Sequence, residues 1–278
     1  MSIRKLLLIS FSLLLAWNAG GQSITILSYN IRYDNPADGN NGWAHRRDLL
    51  CGQIRSANPD LFGVQEALQS QINYLDSAFT GYHHIGVGRE DGKTKGEYSA
   101  IYYNVKKITL LNQGTFWLSA TPRKVSVGWD AALERICTYG LFKDNATGKK
   151  FLMFNTHLDH IGAMARKNSA LLILQKMKEL DRDGYPVILT GDFNSTPDSE
   201  PVKLLLSELQ DSKIAEKSMM MGPGGTFNNF DPTKPAVERI DYIFTGKGFI
   251  ASDYYVIRDS QDGRYASDHF PVVAKINN

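Results

Sequence analysis

Cysteine is scarce: Cys51 and Cys137 are the only two in 278 residues, and they stand far apart. They lack the paired spacing of a metal site, and one pair cannot frame a disulfide-stapled scaffold. Both sit in apolar patterns, which predicts buried free thiols; a disulfide is the alternative in an oxidising compartment. Surplus basic charge is missing too. With Arg4 and Lys5 set aside, the 31 basic residues become 29, against 29 acidic ones, and no basic run occurs. A protein gripping long nucleic acid through many phosphates shows a basic stripe, and none is written here. No long apolar run follows the first twenty residues, so the remainder holds no expected membrane span. Repeats, low-complexity tracts and internal linkers are absent, which predicts one domain.

What is present starts at the N-terminus. Arg4 and Lys5 precede an apolar core from Leu6 to Leu15, and Ala19-Gly20-Gly21 forms a small-residue exit. That pattern is a secretory signal peptide, too short to remain as an anchor. The expectation is a leader over 1–21 and a mature domain over 22–278, exported to the periplasm or outside the cell. No stable membrane anchor is expected, and no protein partner can be inferred. The leader contains no Cys, which argues against a lipid-modified N-terminus. The remaining chain is long enough for one large α/β domain with a substantial core.

Apolar runs bounded by turn residues predict strands over 23–29, 61–64, 100–103, 115–118, 136–142, 151–157, 186–189, 240–244, 254–258 and 272–276. Trp43, Leu50 and Ile54 mark one helical face. Leu68, Ile72, Leu75 and Phe79 mark a second by their steps of four, three and four. The longest helix spans 165–180, with Leu171, Leu174, Met177 and Leu180 facing inward. Another begins at Pro197-Asp198-Ser199. Strands outnumber helices without strict alternation, which favours packed sheets with outer helices over one parallel sheet.

Polar residues collect where the strands stop. Val187-Ile188-Leu189 runs into Thr190-Gly191-Asp192-Phe193-Asn194, where a carboxylate and a carboxamide two residues apart share a face. The competing reading is an Asx turn closing the strand. Other strands carry Asn30, Gln65-Glu66, Asn155-Thr156-His157-Leu158-Asp159, Arg239-Ile240-Asp241 and Ser267-Asp268-His269. Each has a structural alternative: Glu66 as a helix cap, Asn30 in a turn, His157 as a satisfied core histidine, Asp241 paired with Arg239, Asp268 and His269 in a surface turn. Taken together they supply oxygen ligands suited to Mg²⁺ or Mn²⁺ rather than zinc. They also supply histidines with carboxylate partners suited to general base catalysis. Hydrolysis of a phosphate ester needs such parts: a cation on the phosphate oxygens, donors for developing charge, and a group that orients water. A serine-hydrolase elbow is absent.

Six of these stretches occur in the order found in the endonuclease/exonuclease/phosphatase superfamily. They are Ser28-Tyr29-Asn30-Ile31-Arg32, Val64-Gln65-Glu66, Asn155-Thr156-His157, Gly191-Asp192-Phe193-Asn194, Ile240-Asp241-Tyr242-Ile243 and Ser267-Asp268-His269-Phe270-Pro271-Val272. On these motifs the chain resembles that superfamily over nearly all of 24–276. The stretches 115–119 and 129–135 resemble secreted bacterial members near the nocturnin-like deadenylase branch. The resemblance implies a four-layer α/β sandwich, two packed mixed β-sheets flanked by helices, with a catalytic domain over 22–278. It implies Glu66 as principal metal ligand, with Asn30 beside it and Asp268 in support. Asp192 would position the attacking water or lie near a second metal, and Asn194 would donate to the phosphate. His269, oriented by Asp241, would be base or charge stabiliser. His157 would contact the phosphate or assist the leaving group. Arg135 is the expected phosphate clamp, because its fork matches phosphate oxygens. Asp159 and His160 are near candidates, with Asp159 able to orient His157.

Substrate is less legible than chemistry. The leading expectation is a phosphodiesterase acting exonuclease-like on single-stranded nucleic acid or nucleotides. The alternative is a phosphatase or phosphodiesterase on a phosphosugar, inositol phosphate or lipid headgroup. A non-catalytic binding module is the third. Phe227 is expected in a strand as ordinary packing and Phe230 as the freer aromatic; Trp117 and Trp129 are expected in the core or pocket wall. Met219-Met220-Met221 is the sole short apolar candidate for a bilayer contact.

Overall fold

The structure, a computed structural model, describes residues 23–181, 183–213 and 224–277. The leader expected over 1–21 and the Met219-Met220-Met221 run lie outside these residues. The chain passes through β1 (Ile24–Asn30), a 3-10 segment (Pro36–Asn41), α1 (Trp43–Ala57), β2 (Leu61–Ala67), α2 (Gln69–Ala78), β3 (Tyr82–Ile85) and β4 (Tyr98–Asn104). It continues through β5 (Ile108–Trp117), β6 (Ile136–Asp144), β7 (Lys150–His157), α3 (Ala163–Leu180), β8 (Val187–Asp192) and α4 (Glu200–Leu206). It closes with β9 (Gln210–Asp211), β10 (Asp241–Thr245), β11 (Ile250–Val256) and β12 (Val272–Asn277).

The strands form two six-stranded mixed sheets, ordered β11-β12-β1-β2-β4-β3 and β5-β6-β7-β8-β10-β9. The pairs β1/β2 and β7/β8 are parallel. Helices α1 and α2 cover the first sheet through Trp43, Leu50, Ile54, Ile72 and Leu75, which pack on Leu27, Phe62 and Tyr102. Helix α3 and the segment around α4 cover the second through Ile173, Leu174, Met177, Val202 and Leu205. A third cluster, with Ile26, Ile101, Phe142, Met153, Ile188 and Ile243, fills the space between the sheets. This is the expected four-layer sandwich. Cys51 and Cys137 are free, buried and in different outer clusters, so the disulfide alternative is excluded.

The sheet-to-sheet faces explain where function can sit. Side chains alternate along a strand, and the inward set changes character from bottom to top. On β1 it reads Ile24, Ile26, Ser28, Asn30; on β7 Phe151, Met153, Asn155, His157; on β8 Ile188, Thr190, Asp192. The lower level is apolar. The middle level is a hydrogen-bonded network: Gln65 Nε2 donates to Asn155 Oδ1 (2.7 Å), as does Thr190 Oγ1 (3.0 Å), while Asn155 Nδ2 donates to the Val64 and Ala100 carbonyls (both 2.9 Å). Asn155 therefore bolts the second sheet to the first and does not line the pocket. Only the top level faces solvent, at the C-terminal ends of β1, β2, β7 and β8 and the N-terminal ends of the antiparallel β10 and β12.

Some local expectations change. Leu171 is exposed, because the buried stripe of α3 runs through Ser169, Ala170, Ile173, Leu174 and Met177, one position away from it. Strand β5 starts at Ile108, well before 115; Leu111, Asn112 and Gln113 in its middle are exposed and interrupt the apolar pattern. Edge strand β11 starts at Ile250, where Ile250 and Ser252 are exposed and no apolar run marks the first half. Trp117 is buried as expected, but Trp129 is 40% exposed on a left-handed backbone (φ 52°).

Candidate active site

The top of the sandwich holds a cavity of about 600 Å³, open to solvent. Glu66 reaches it by a backbone device. Simple alternation after Val64 and Gln65 would point residue 66 toward the helix layer. Instead the β2/β4 register shifts between Val64 and Ala67, and Glu66 adopts φ 63°. A bulge with a left-handed residue re-aims the side chain into the pocket. Its Oε1 accepts from Asn30 Nδ2 (2.9 Å) and its Oε2 from the Tyr33 amide (3.1 Å).

Asn30 bridges the acids. Its Nδ2 also donates to Asp192 Oδ2 (2.9 Å), while its Oδ1 accepts from the Arg32 amide (3.0 Å). Since the Arg32 N–H can only donate, the oxygen end of Asn30 is fixed away from the acids. Asn30, expected as a ligand beside Glu66, thus faces the cluster with donors and holds two carboxylates in place. Asp192 and Asn194 resolve their own ambiguity. Asp192 Oδ1 accepts from the Asn194 amide (2.9 Å), the Asx turn, while Oδ2 still faces the pocket. Asn194 sits at φ 45°, so it leaves the strand face that simple spacing assigned to it. Its Nδ2 meets His157 Nε2 (3.0 Å) and the Leu158 carbonyl (2.9 Å).

On the far wall, His269 Nδ1 lies 2.9 Å from Asp241 Oδ2, and its Nε2 3.7 Å from Asp192 Oδ2. Asp241 does not pair with Arg239, which turns to Asp211 (2.6 Å). Burial pulls the His269 pKa down, but the Asp241 and Asp192 carboxylates outweigh it and hold the ring well above its ordinary value. Burial pushes Asp192 up to about 7, His269 opposes this, and Asp241 adds to it. Burial also raises Asp268, which lines the pocket with Arg32 Nε 3.8 Å from its Oδ2.

Arg135 is buried at the pocket edge. Its Nε donates to Asp159 Oδ2 (3.2 Å) and its Nη2 to His160 Nδ1 (2.9 Å), while Nη1 has no partner. Asp159 therefore orients Arg135, not His157. Burial would raise Asp159, but the Gly162, Ile161 and Ala132 amides and Arg135 hold it near 2. Arg166, at the start of α3, ties down the same loop by donating to the Asp159 carbonyl (2.9 Å). Tyr33, Leu133, Phe227, Asn229, Phe230 and Glu238 complete the rim. Phe227 bridges to His269 and its ring lies 5.1 Å from the imidazole, so it serves the pocket rather than ordinary packing.

The structure thus gathers Asn30, Glu66, Arg135, His157, Asp192, Asn194, Asp241, Asp268 and His269 at one end of the sandwich. It adds Arg89 and Glu97, which no motif singled out. Glu66, His157 and Asp192 offer ligand atoms within 4.8 Å of one another, as do Asp192, Asp241 and His269. Carboxylate oxygens buried against like charge, with one pushed up to about 7, are a donor set that a hard divalent cation fits.

Comparison with known proteins agrees with this geometry. A model of the Endonuclease/Exonuclease/phosphatase family matches residues 15–269. An endonuclease/exonuclease/phosphatase family protein from Bacteroides thetaiotaomicron is 42% identical, with a TM-score of 0.89 over 92% of this chain and 98% of that one. A mannosyl-6-phosphatase from Bacteroides thetaiotaomicron VPI-5482 is 42% identical, with a TM-score of 0.87 over 92% of this chain and 100% of that one. A probable RNA exonuclease from Saccharomyces cerevisiae is 27% identical over 57% of this chain, which spans 33% of that protein's length.

Proposed function

The chain belongs to the endonuclease/exonuclease/phosphatase family, and from that premise we propose that it is a Mg²⁺- or Mn²⁺-dependent phosphatase for a small phosphorylated sugar. One observation carries the choice of substrate: the charge of the pocket lining. Asp38, Glu66, Glu97, Asp192, Glu238 and Asp268 line it, against Arg32, Arg135 and the cationic His269. Arg32 is already paired with Asp38 (3.0 Å). Arg135 Nη1 is buried and has no partner, which leaves it free to donate to a phosphate. Such a rim accepts one phosphate on a neutral body and repels a chain of phosphates. The full-length likeness to a mannosyl-6-phosphatase supports the same reading. This reverses the order that sequence alone gave to nucleic acid and sugar phosphate.

In this proposal Glu66, Asp192 and Asp268 would hold the cation, which neutralises phosphate oxygens. Cationic His269 donates from Nε2 to the phosphate, and Asp241 keeps the ring charged and oriented. Asp192 Oδ2 accepts from the attacking water and aligns it. Arg135 donates to a peripheral oxygen. The aromatic rim of Tyr33, Phe227 and Phe230 favours a second reading, a nuclease stacking a base at its mouth. We further propose that 1–21 act as an export leader and are removed.

The test is turnover by the purified protein with Mg²⁺ or Mn²⁺, with and without chelator and against Glu66→Ala. Mannose 6-phosphate and other sugar phosphates are compared with p-nitrophenyl phosphate, its diester, and single-stranded RNA and DNA. Chelator-sensitive release of phosphate from sugar phosphates supports the proposal. Preference for the diester and polynucleotides replaces it with the nuclease reading.

A further inference from the structure

Two residues whose expected burial fails stand together on the outside of the molecule. Trp129, expected in the core or pocket wall, is 40% exposed, and Leu171, expected to face inward, is 44% exposed. Both line one depression of about 390 Å³ between the β5–β6 connection and the outer face of α3. That volume lies within the range of small-ligand sites, about 300–1,000 Å³. The depression shares no lining residue with the catalytic pocket.

The segment from 118 to 135 is built to hold Trp129 where it is. A Cβ at Gly128 would stand 2.0 Å from the Leu118 carbonyl oxygen, so the chain in front of Trp129 is packed against its own start. Behind it, Asp130 accepts from the Ala165 (2.6 Å) and Met164 (3.2 Å) amides in the first turn of α3. The Ala131 amide donates to the Gly128 carbonyl (2.9 Å), which closes a turn around Trp129. Ser126 ties the outer bend, its Oγ 2.6 Å from Ser119 Oγ and 3.0 Å from Thr121 Oγ1. Fixed on both sides, Trp129 keeps a left-handed backbone (φ 52°) that is costly for a bulky residue. Strain of this kind persists only where the surroundings over-determine it, and it gathers at functional positions. An indole held out in the open on such a backbone adds nothing to the core.

The lining sets the chemistry of the ligand. Trp129, Pro122, Leu171 and Leu172 give apolar surface, Asn168 and Gln175 give amides, and no charged side chain takes part. Among the described residues neither the Trp129 indole N–H nor the Asn168 amide has a hydrogen-bond partner. Gln175 Nε2 donates to Glu179 (2.7 Å), which leaves its oxygen as an acceptor. An ion finds no counter-charge in this lining. A lipid or an apolar peptide would leave the amides and the indole N–H unpaired, at a cost. A sugar ring matches both halves: the C–H groups of its face stack on an indole, and the hydroxyls of its edge pair with amides.

We propose that this depression binds a neutral saccharide, with Trp129 as the stacking platform and Asn168 and Gln175 as hydroxyl partners. Segment 118–135 then serves two sites, Trp129 here and Leu133 and Arg135 in the catalytic pocket. The inference goes beyond the phosphatase reading and does not depend on it.

The experiment titrates the full-length ¹⁵N-labelled protein with neutral tetrasaccharides of mannose, of glucose and of N-acetylglucosamine. Indole N–H signals report the place of binding, with Trp129 assigned by its loss in Trp129→Phe, and calorimetry reports the affinity. At least one sugar should move the Trp129 signal with a Kd of about 1 mM or below. Trp129→Ala should weaken binding about 10-fold or more, as for loss of a stacked aromatic surface. Asn168→Ala should weaken it about 2- to 10-fold, as for one neutral hydrogen bond, and it carries the test where Trp129→Ala does not fold. Both variants should keep the parent's Tm and its turnover of p-nitrophenyl phosphate. Silence from all three sugars at about 10 mM, or parental affinity in both variants, overturns the proposal. So does a Trp129 signal that moves with protein concentration or with single-stranded RNA but not with sugar, which assigns the surface to a second copy or to nucleic acid. Should no ester be turned over, the phosphatase reading fails while the titration still decides this one.

Discussion

His157 and His269 face one pocket from opposite sheets and are driven to opposite states. Both are nearly inaccessible, so burial works against charge on each. His269 looks at Asp241 and Asp192 and is held well above the ordinary histidine value. His157 has burial reinforced by Arg135 and Arg89 and is held well below it. Equal burial therefore yields a cation on one wall and a neutral ring on the other, and the sign is set by the residues behind the ring. One wall presents positive charge to the pocket. The other presents Nε2 of a neutral ring to Asn194 Nδ2 (3.0 Å) and Asp192 Oδ2 (3.4 Å).

Replacing each ring tests that asymmetry most severely. His269→Ala should lower kcat by about 10³-fold or more, and His157→Ala by about 10²-fold, within the range for proton-handling groups. Equal losses would show that the walls share one role. Asp241→Asn should erase the difference in charge rather than the ring itself. Asp241 is what outweighs burial at His269, so without it the cation is lost at lower pH. The alkaline limb of the pH–rate profile should move down by at least one unit, and an unmoved limb would remove Asp241 from the account.

Metal binding offers a milder probe. At about 100 times its Kd a ligand that binds only the folded chain contributes about 2.7 kcal/mol, about 5 °C or more in Tm for a domain of this size. Asp192 is ionised above about pH 7 and protonated below it, so Mn²⁺ should raise Tm at pH 8 and much less at pH 5. Asp192→Asn sets stability against activity. In the folded chain Asp192 keeps its proton up to about pH 7, whereas unfolded it ionises near pH 4. The folded state thus binds the extra proton between those values, and this group's contribution to stability declines as pH rises through that window. The variant should melt a few degrees higher at pH 8, match the parent near pH 4, and be inactive. A lower Tm at pH 8 would mean that the Asp192–His269 attraction outweighs the burial of the acid.

The cationic wall was legible in the sequence and the neutral wall only in part. Asp192, Asp241, Asp268 and His269 stand beside apolar runs that announce strands, so their convergence could be expected from alternation alone. Glu66 was named, yet the bulge that aims it has no signature in Val64-Gln65-Glu66. Asn155 shared a motif with His157, but two residues down a strand is one level deeper, in the bolt between sheets. Arg89 and Glu97 sit among Glu90, Asp91, Lys93 and Lys95, where a charge reads as a solvated loop. The available signal was Glu97 directly before Tyr98-Ser99-Ala100-Ile101, a buried strand whose entrance a free charge would not occupy. Trp129 and Leu171 were misplaced because hydrophobicity alone does not say which way a side chain faces.

The position of β1 carries a consequence for how the molecule comes into being. Its left neighbour is the last strand, with Ile24 opposite Ile276, and its right neighbour is β2. The first sheet therefore cannot close until the final strand has left the ribosome, and Asn30 cannot meet His269 before then. Pairing across so much sequence is slow, and the site depends on it. A fragment that lacks either β1 or β12 cannot bring Asn30 and His269 together by itself.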